Sequence, residues 1–120
     1  MTNENQLIIA LGYCVFMLII FIIYFLYPPK KINYLYGYKT KRSMRNNETW
    51  TFANKYAAKL LVNFSIYSLF IPPILYFLYP ENNFIMTIII HTALILSVLY
   101  FTELQLKIKF KKEENHNMHK

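Results

Sequence analysis

Three long stretches without a charged side chain dominate the hydrophobic pattern of this chain. Gln6–Tyr27 contains 22 such residues, Leu60–Tyr79 contains 20 and Asn82–Thr102 contains 21. A helix needs about 20 predominantly apolar residues to cross the hydrocarbon core of a bilayer. The pattern therefore predicts an all-α integral membrane protein with three transmembrane helices. The predicted spans cover about residues 6–27, 60–79 and 83–106.

Three spans take up most of the 120 residues, so we expect one membrane domain over residues 1–120. The remaining segments are a loop over residues 28–59 and a tail over residues 107–120. Residues 1–5 contain no Lys or Arg, which is untypical of a secretory signal peptide. We therefore expect the first apolar window to be retained as a helix.

The positions of the basic residues predict the orientation of the chain. The sequence has 13 Lys and Arg residues and a net charge of +7, and all 13 lie in residues 28–59 or 107–120. Three crossings place both segments on one side, which the positive-inside rule identifies as the cytoplasm. We predict that the N-terminus lies outside and the C-terminus lies in the cytoplasm. Anionic lipid headgroups are then the expected partner of the basic residues, and nucleic acid is not.

The second helix is predicted to begin well before its apolar window. Asn47 is a suitable N-cap, and Glu48 follows it near the positive end of the helix dipole. A helix over residues 48–79 would be about 48 Å long, so its first turns should lie in the cytoplasmic interface. Pro72 and Pro73 lack an amide hydrogen, and we expect them to kink the outer half.

The third helix is followed by the segment 104–112, LQLKIKFKK, which alternates apolar and basic residues. This alternation fits a strand, but we favour a helix that leaves the membrane with snorkelling lysines. His116 and His119 lie in the polar tail, where two ligands are too few to indicate a metal site. Cys14 is the single cysteine, so it is expected to be a packing residue without a disulfide partner.

Three polar residues inside or at the edge of the spans are candidate functional groups. Asn63 is expected to hydrogen bond across helices or to its own backbone. His91 lies deeper, where it either makes such a bond or relays protons, and we expect no direct contact between these two. Glu103 lies near the inner boundary and is expected to pair with Lys59 or Lys107.

Motifs that would indicate catalysis are missing from the sequence. Gly12 and Gly37 are its two glycines, which excludes a glycine-rich phosphate loop. We find no paired carboxylates, zinc box or activated nucleophile among the six acidic residues and their neighbours. We therefore expect a non-enzymatic protein that has no catalytic residues, no metal and no cofactor.

The stretch NYLYGYKTKR, residues 33–42, combines tyrosines, one glycine and a cluster of positive charge. Tyrosine favours the membrane–water boundary, and glycine permits a tight turn. The basic residues that follow can face anionic headgroups, each with about 1 kcal/mol of attraction near the surface. By this reasoning alone the stretch is a loop that lies on the membrane.

Three segments, NYLYGYKT, RNNETW and FAN, resemble the signature of the SdpI family in their order, spacing and flanking spans. These are small bacterial membrane proteins named for immunity to a secreted peptide toxin. The resemblance covers about residues 27–77, and the third span fits the three-helix unit of the family. The residues that carry the motif are Asn33, Gly37, Tyr38, Lys39, Thr40, Asn47, Trp50 and Asn54.

The resemblance implies a multi-pass protein of the bacterial inner membrane that neutralises or senses a membrane-active peptide toxin. Lys39 replaces the arginine of the family motif, and lysine offers a point charge instead of a planar fork. The archetypal immunity protein is also longer than this chain. Two interpretations of the motif remain open: a ligand site around Lys39, Trp50 and Asn54, or a structural clasp made by Gly37, Trp50 and Asn54.

Two other functions remain open at this stage. The chain would be an accessory subunit of a larger membrane complex if Ala53, Ala57 and Ala58 packed against a partner. Alternatively, an oligomer would form a small proton-linked transporter or channel centred on His91. The sequence predicts no ligand, partner or oligomeric state beyond these hypotheses.

Overall fold

The computed structural model describes residues 1–111, which form four helices and a short 3-10 turn at Pro80–Asn82. Three stretches are long and apolar enough to cross a membrane: Asn3–Leu26, Asn47–Leu78 and Pro80–Lys109. The described residues contain no strand, so the all-α prediction with three candidate spans is confirmed, including a helix up to Lys109. The helices are α1 (Asn3–Leu26), α2 (Asn47–Ser68), α3 (Ile71–Leu78) and α4 (Asn83–Lys109).

The start of α2 differs by one residue from the prediction. Asn46, and not Asn47, is the N-cap, and its side chain accepts a hydrogen bond from the Thr49 amide at 2.9 Å. The Thr49 hydroxyl in turn accepts from the Asn46 amide at 3.1 Å, which completes a capping box. Asn47 is the first helical residue and is exposed, while Glu48 lies in the first turn as predicted.

The predicted continuous second helix is interrupted between α2 and α3, at Leu69 and Phe70. Pro72 and Pro73 lie in the first turn of α3, where a missing amide hydrogen removes no helical hydrogen bond. The bend of the helix axis that we expected at this point stays a prediction.

Side chains from the neighbouring helices bond to the backbone at this interruption. The Cys14 thiol of α1 donates to the Ser68 carbonyl at 3.6 Å. The Asn83 amide of α4 donates to the Pro72 carbonyl at 3.0 Å. An unpaired carbonyl costs several kcal/mol in the hydrocarbon core, so these bonds stabilise the break. Cys14 is thus both a packing residue and a donor.

The interior between the helices is made mostly of small and polar side chains, whereas large apolar side chains face outward. Ile8, Phe16 and Phe77, for example, are 64%, 62% and 83% exposed. This arrangement is typical of membrane helices, since small residues allow close approach and lipid solvates the large ones. Fully or nearly fully buried small residues are Ala10, Cys14, Ala53, Ala57, Ala58, Ser65 and Ser68. Because the three α2 alanines pack inside the chain, they are not available for the predicted contact with a partner.

The link between α1 and α2, residues 27–46, folds against the ends of α1, α2 and α4. Tyr36 donates from its hydroxyl to the Tyr27 carbonyl at 2.8 Å, and its ring meets the Tyr24 ring edge to face. Tyr38 reaches α4, where its hydroxyl donates to the Leu99 carbonyl at 3.2 Å. The link is therefore held to all three spans.

Candidate functional site

Gly37 turns the link inward through a backbone conformation that suits glycine. Its φ is +112°, and no other described residue has a positive φ. A Cβ at this position would lie 2.6 Å from Asn54 Oδ1 and 2.7 Å from Pro29 Cγ. Glycine is therefore required both by the dihedral angle and by the close approach of the link to α2.

Asn54 lies next to this turn, almost completely buried, and is the centre of its hydrogen bonds. Its Oδ1 accepts from the Tyr38 amide at 2.6 Å and from the Tyr24 hydroxyl at 2.5 Å. Its Nδ2 donates to the Trp50 carbonyl one helical turn earlier, at 3.0 Å. One amide side chain thus joins α1, the link and α2.

Trp50 fixes the link from the other side. It is fully buried, and its indole nitrogen donates to the Pro29 carbonyl at 2.8 Å. Its ring would also lie 3.3 Å from a Cβ at Gly37. We call Pro29, Gly37, Trp50 and Asn54 the loop clasp. Its geometry is that of the structural clasp considered among the sequence hypotheses.

Asn33 shapes the exposed tip of the link. Its side-chain oxygen accepts from the amides of Leu35 at 3.0 Å and Tyr36 at 2.8 Å, which forms an Asx turn. The tip itself projects outward, with Tyr34 84% and Leu35 94% exposed. Lys39 is exposed, and its ammonium group donates to the Tyr34 carbonyl at 2.7 Å. A ligand role for Lys39 stays a prediction.

Thr40 lies in a compact turn with Ser43. The Thr40 amide donates to Ser43 Oγ at 2.8 Å, and the Ser43 amide donates to Thr40 Oγ1 at 3.1 Å. Thr49 Oγ1 donates to the Ser43 carbonyl at 3.0 Å, which links this turn to the start of α2. Thr40 therefore has a structural role beside the loop clasp, and Asn47 contributes no hydrogen bond to it in the described residues.

Glu103 faces the link and not the lysines that were expected to pair with it. Its carboxylate accepts from the Tyr38 hydroxyl at 2.8 Å and forms an ion pair with Arg42 at 3.1 Å. The predicted pairing with Lys59 or Lys107 is therefore wrong. The folded link occupies the inner end of α4, where it brings Arg42 closer than either lysine. Burial, together with the hydrogen bond to Glu103, raises the pKa of the Tyr38 phenol, which therefore remains a donor.

A lipid-facing groove runs between α1 and α4 and ends at the link. Its volume is about 400 Å³, and its surface is almost entirely apolar. Tyr36, Gly37 and Tyr38 close its inner end, so two residues of the family motif line it. Side chains of the helices form its walls, namely Ile20, Phe21, Tyr24, Ala57, Leu61, Ile95, Leu96, Val98 and Leu99.

His91 is buried in the interior, 1% exposed, far along α4 from the loop clasp. Its Nδ1 lies 3.1 Å from the Tyr13 hydroxyl, and its ring stacks on Phe21 at a centroid distance of 6.4 Å. Within residues 1–111, its Nε2 has no hydrogen-bond partner. The expected bond across helices is thus present, while the proposed proton relay stays a prediction.

Asn63 does not behave as expected. Its side chain is exposed on the outer surface of α2, and it makes no hydrogen bond to another described residue. The predicted bond across helices or to its own backbone is therefore wrong. The hydrophobic pattern fixed its depth along the helix but not the face on which it lies.

Groups of side chains that would hold a metal are not found in residues 1–111, where no three His, Cys, Asp or Glu residues come together. His116 and His119 lie outside the described residues. The site described above is instead built from backbone groups, amides and tyrosines.

Several residues that build this region were not identified from the sequence. Pro29 and Tyr24 bond to Trp50 and Asn54 across 21 and 30 residues of chain, and such pairs leave no local pattern. Asn83 is fully buried, although it follows the second apolar window directly and resembled a loop residue. A single asparagine beside a proline-interrupted helix was the available signal for it.

Comparison with known proteins agrees with the motif. The profile of the SdpI/YfhL protein family matches residues 30–101, which include the link, α2, α3 and most of α4. The chain is also similar to the uncharacterized protein YfhL of Bacillus subtilis (strain 168), with 38% identity over 92 residues. That match covers 77% of this chain and 80% of the relative. No solved structure matches the chain.

Proposed function

Because the chain belongs to the SdpI/YfhL family, we propose that it is a non-catalytic protein of the bacterial inner membrane that binds a membrane-active peptide. Binding would neutralise the peptide or report its presence. The basic residues of the link place it on the cytoplasmic side in this proposal, as the positive-inside rule requires.

The lipid-facing groove carries the proposal. It is apolar along the helices and closed at one end by Gly37 and Tyr38, residues of the family motif. A peptide segment that enters the bilayer presents apolar side chains, for which such a groove offers more contact than lipid tails alone. We therefore assign the groove to the apolar part of the peptide.

The loop clasp gives the groove a fixed end. Gly37 and Tyr38 are held by Asn54 and by the Tyr38 hydroxyl bond to Glu103. A site whose walls are already ordered loses less conformational entropy when a ligand binds. In this proposal the clasp is structural and the groove is the binding surface, so the motif serves both.

Protection against a peptide can be measured in a bacterial strain from which the gene has been deleted. The deleted strain should be killed at lower concentrations of at least one secreted membrane-active peptide, and the wild-type gene should restore survival. Leu96→Trp fills the groove with a larger side chain and should abolish that protection. Ile89→Trp is the matched control, since Ile89 is exposed on α4 to a similar extent, 61% against 63%, but does not line the groove.

Two results would contradict the proposal. The deleted strain could be equally sensitive to every peptide from its own and neighbouring strains. Alternatively, both tryptophan variants could protect as well as the wild type at equal membrane abundance. Quantitative immunoblots of the membrane fraction provide the abundance.

A further inference from the structure

A second cleft lies on the opposite side of the loop clasp, between the end of α1 and the first turns of α2. Its volume is about 360 Å³, and it is more enclosed than the lipid-facing groove. The residues that line it are Phe25, Pro28, Pro29, Lys30, Thr51, Asn54, Lys55 and Ala58. We call it the two-lysine cleft.

We propose that the two-lysine cleft binds the headgroup of an anionic phospholipid, with the ammonium groups of Lys30 and Lys55 on the phosphate. This site is independent of the peptide-binding proposal above. It is also more specific than a general attraction between basic residues and the membrane surface, because it names one cleft and two cations.

The chemistry of the cleft favours a phosphate. Lys30 and Lys55 reach it from two different segments, the link and α2, and Thr51 adds a hydroxyl that can donate. Neither lysine forms an ion pair within residues 1–111, where the Arg42–Glu103 pair is the one found. Two unpaired cations over a concave surface bind an anion better than scattered surface lysines, since their fields add at one point.

The rest of the lining favours a lipid over a free anion. Phe25, in the last turn of α1, and Ala58 of α2 give the cleft an apolar part beside its charged part. An apolar surface next to two cations matches a molecule whose phosphate is joined to hydrocarbon. Lys55 lies five residues before the apolar window that begins at Leu60, which is the level of the headgroups.

The loop clasp builds this cleft as well. The Trp50 indole holds the Pro29 carbonyl at 2.8 Å, which fixes the chain that carries Lys30 against α2. Glu48 is the nearest acidic residue along α2 but lies one turn before Thr51 and does not line the cleft. The local charge facing the ligand is therefore positive.

Native mass spectrometry of the full chain in a mild detergent tests the proposal, with dioleoylphosphatidylglycerol and dioleoylphosphatidylcholine as probes. The wild type should bind the anionic lipid more tightly than the zwitterionic one. The double variant K30Q/K55Q should weaken binding of the anionic lipid by about 25-fold, which is about fivefold for each lysine near the surface. Circular dichroism confirms that the variant keeps its helices.

The matched control is K31Q/K41Q, which removes the same charge from two exposed lysines of the link outside the cleft. It should bind dioleoylphosphatidylglycerol like the wild type. Equal losses in both double variants, or equal affinity of the wild type for the two lipids, would overturn the proposal. Full displacement of the lipid by inorganic phosphate would also overturn it, since the cleft would then be a site for a free anion.

Discussion

Gly37 and Asn54 approach each other so closely that no side chain fits between them. A Cβ on Gly37 would lie 2.6 Å from Asn54 Oδ1, the atom that also accepts hydrogen bonds from Tyr38 and Tyr24. The glycine of the link and the asparagine of α2 are therefore two halves of one contact. This contact explains why a motif spread over 22 residues acts as a structural unit.

Replacing Gly37 with alanine should destabilise the protein strongly. The substitution forces a positive φ on alanine, which costs about 1–3 kcal/mol, and the new Cβ also displaces Asn54. Unfolding by sodium dodecyl sulfate in mixed micelles, followed by circular dichroism, measures the loss of free energy of unfolding.

Gly12→Ala is the control for this experiment. Gly12 lies inside α1, and a Cβ there meets no atom within 4 Å. Alanine should stabilise the helix by about 0.5–1 kcal/mol or leave it unchanged. If Gly37→Ala were as stable as Gly12→Ala, the assigned backbone conformation of the link would be wrong.

Asn54→Leu should be among the most damaging single substitutions in the chain. It leaves the Tyr38 amide and the Tyr24 hydroxyl without their acceptor, at about 1–3 kcal/mol for each buried group. The same unfolding titration measures the effect. Tyr24→Phe, which removes one donor and leaves the other bond in place, should cost about 1 kcal/mol.

Asn63→Leu makes the same chemical change on the outer surface of α2. Since Asn63 is exposed and makes no hydrogen bond within the described residues, we expect no loss of stability. A loss at Asn63 as large as that at Asn54 would show that the two asparagines are equivalent, which contradicts the asymmetry described above.

Arg42 and Glu103 should be energetically coupled, but only weakly. The Arg42 side chain is 38% exposed, so water and salt screen the pair, and we expect a coupling free energy of about 0.2–1 kcal/mol. A double-mutant cycle with Arg42→Gln and Glu103→Gln measures it. The parallel cycle with Lys107→Gln should give no coupling, and a larger value there would restore the pairing that the sequence predicted.

The orientation of the chain can be tested with single cysteines in a Cys14→Ala background. In whole cells, a membrane-impermeant maleimide should label Glu81→Cys and should label Lys41→Cys only after permeabilisation. Both positions are exposed, so accessibility depends on the side of the membrane. Labelling in the opposite order would invert the predicted topology and move the two-lysine cleft to the outer surface.

Local features of the sequence determined the number, type and approximate limits of the helices. Each span is an apolar run close to bilayer thickness, and that requirement acts on every window independently of the others. The motif around Gly37, Trp50 and Asn54 was also visible, because glycine, tryptophan and asparagine occur there without being needed for membrane crossing. The cap at Asn46 was missed by one residue, since two adjacent asparagines are nearly equal as caps.

The tertiary structure decided which polar residue meets which. Glu103 pairs with Arg42, 61 residues away, and Pro29 meets Trp50 because the link folds back over the helix ends. Helix faces were settled in the same way: Asn54 points inward and Asn63 outward, although both lie on α2. In a membrane, apolar side chains are favourable on either side of a helix, so hydrophobic patterning gives depth but not direction. Contact between helices, through small residues and hydrogen bonds, supplies the direction.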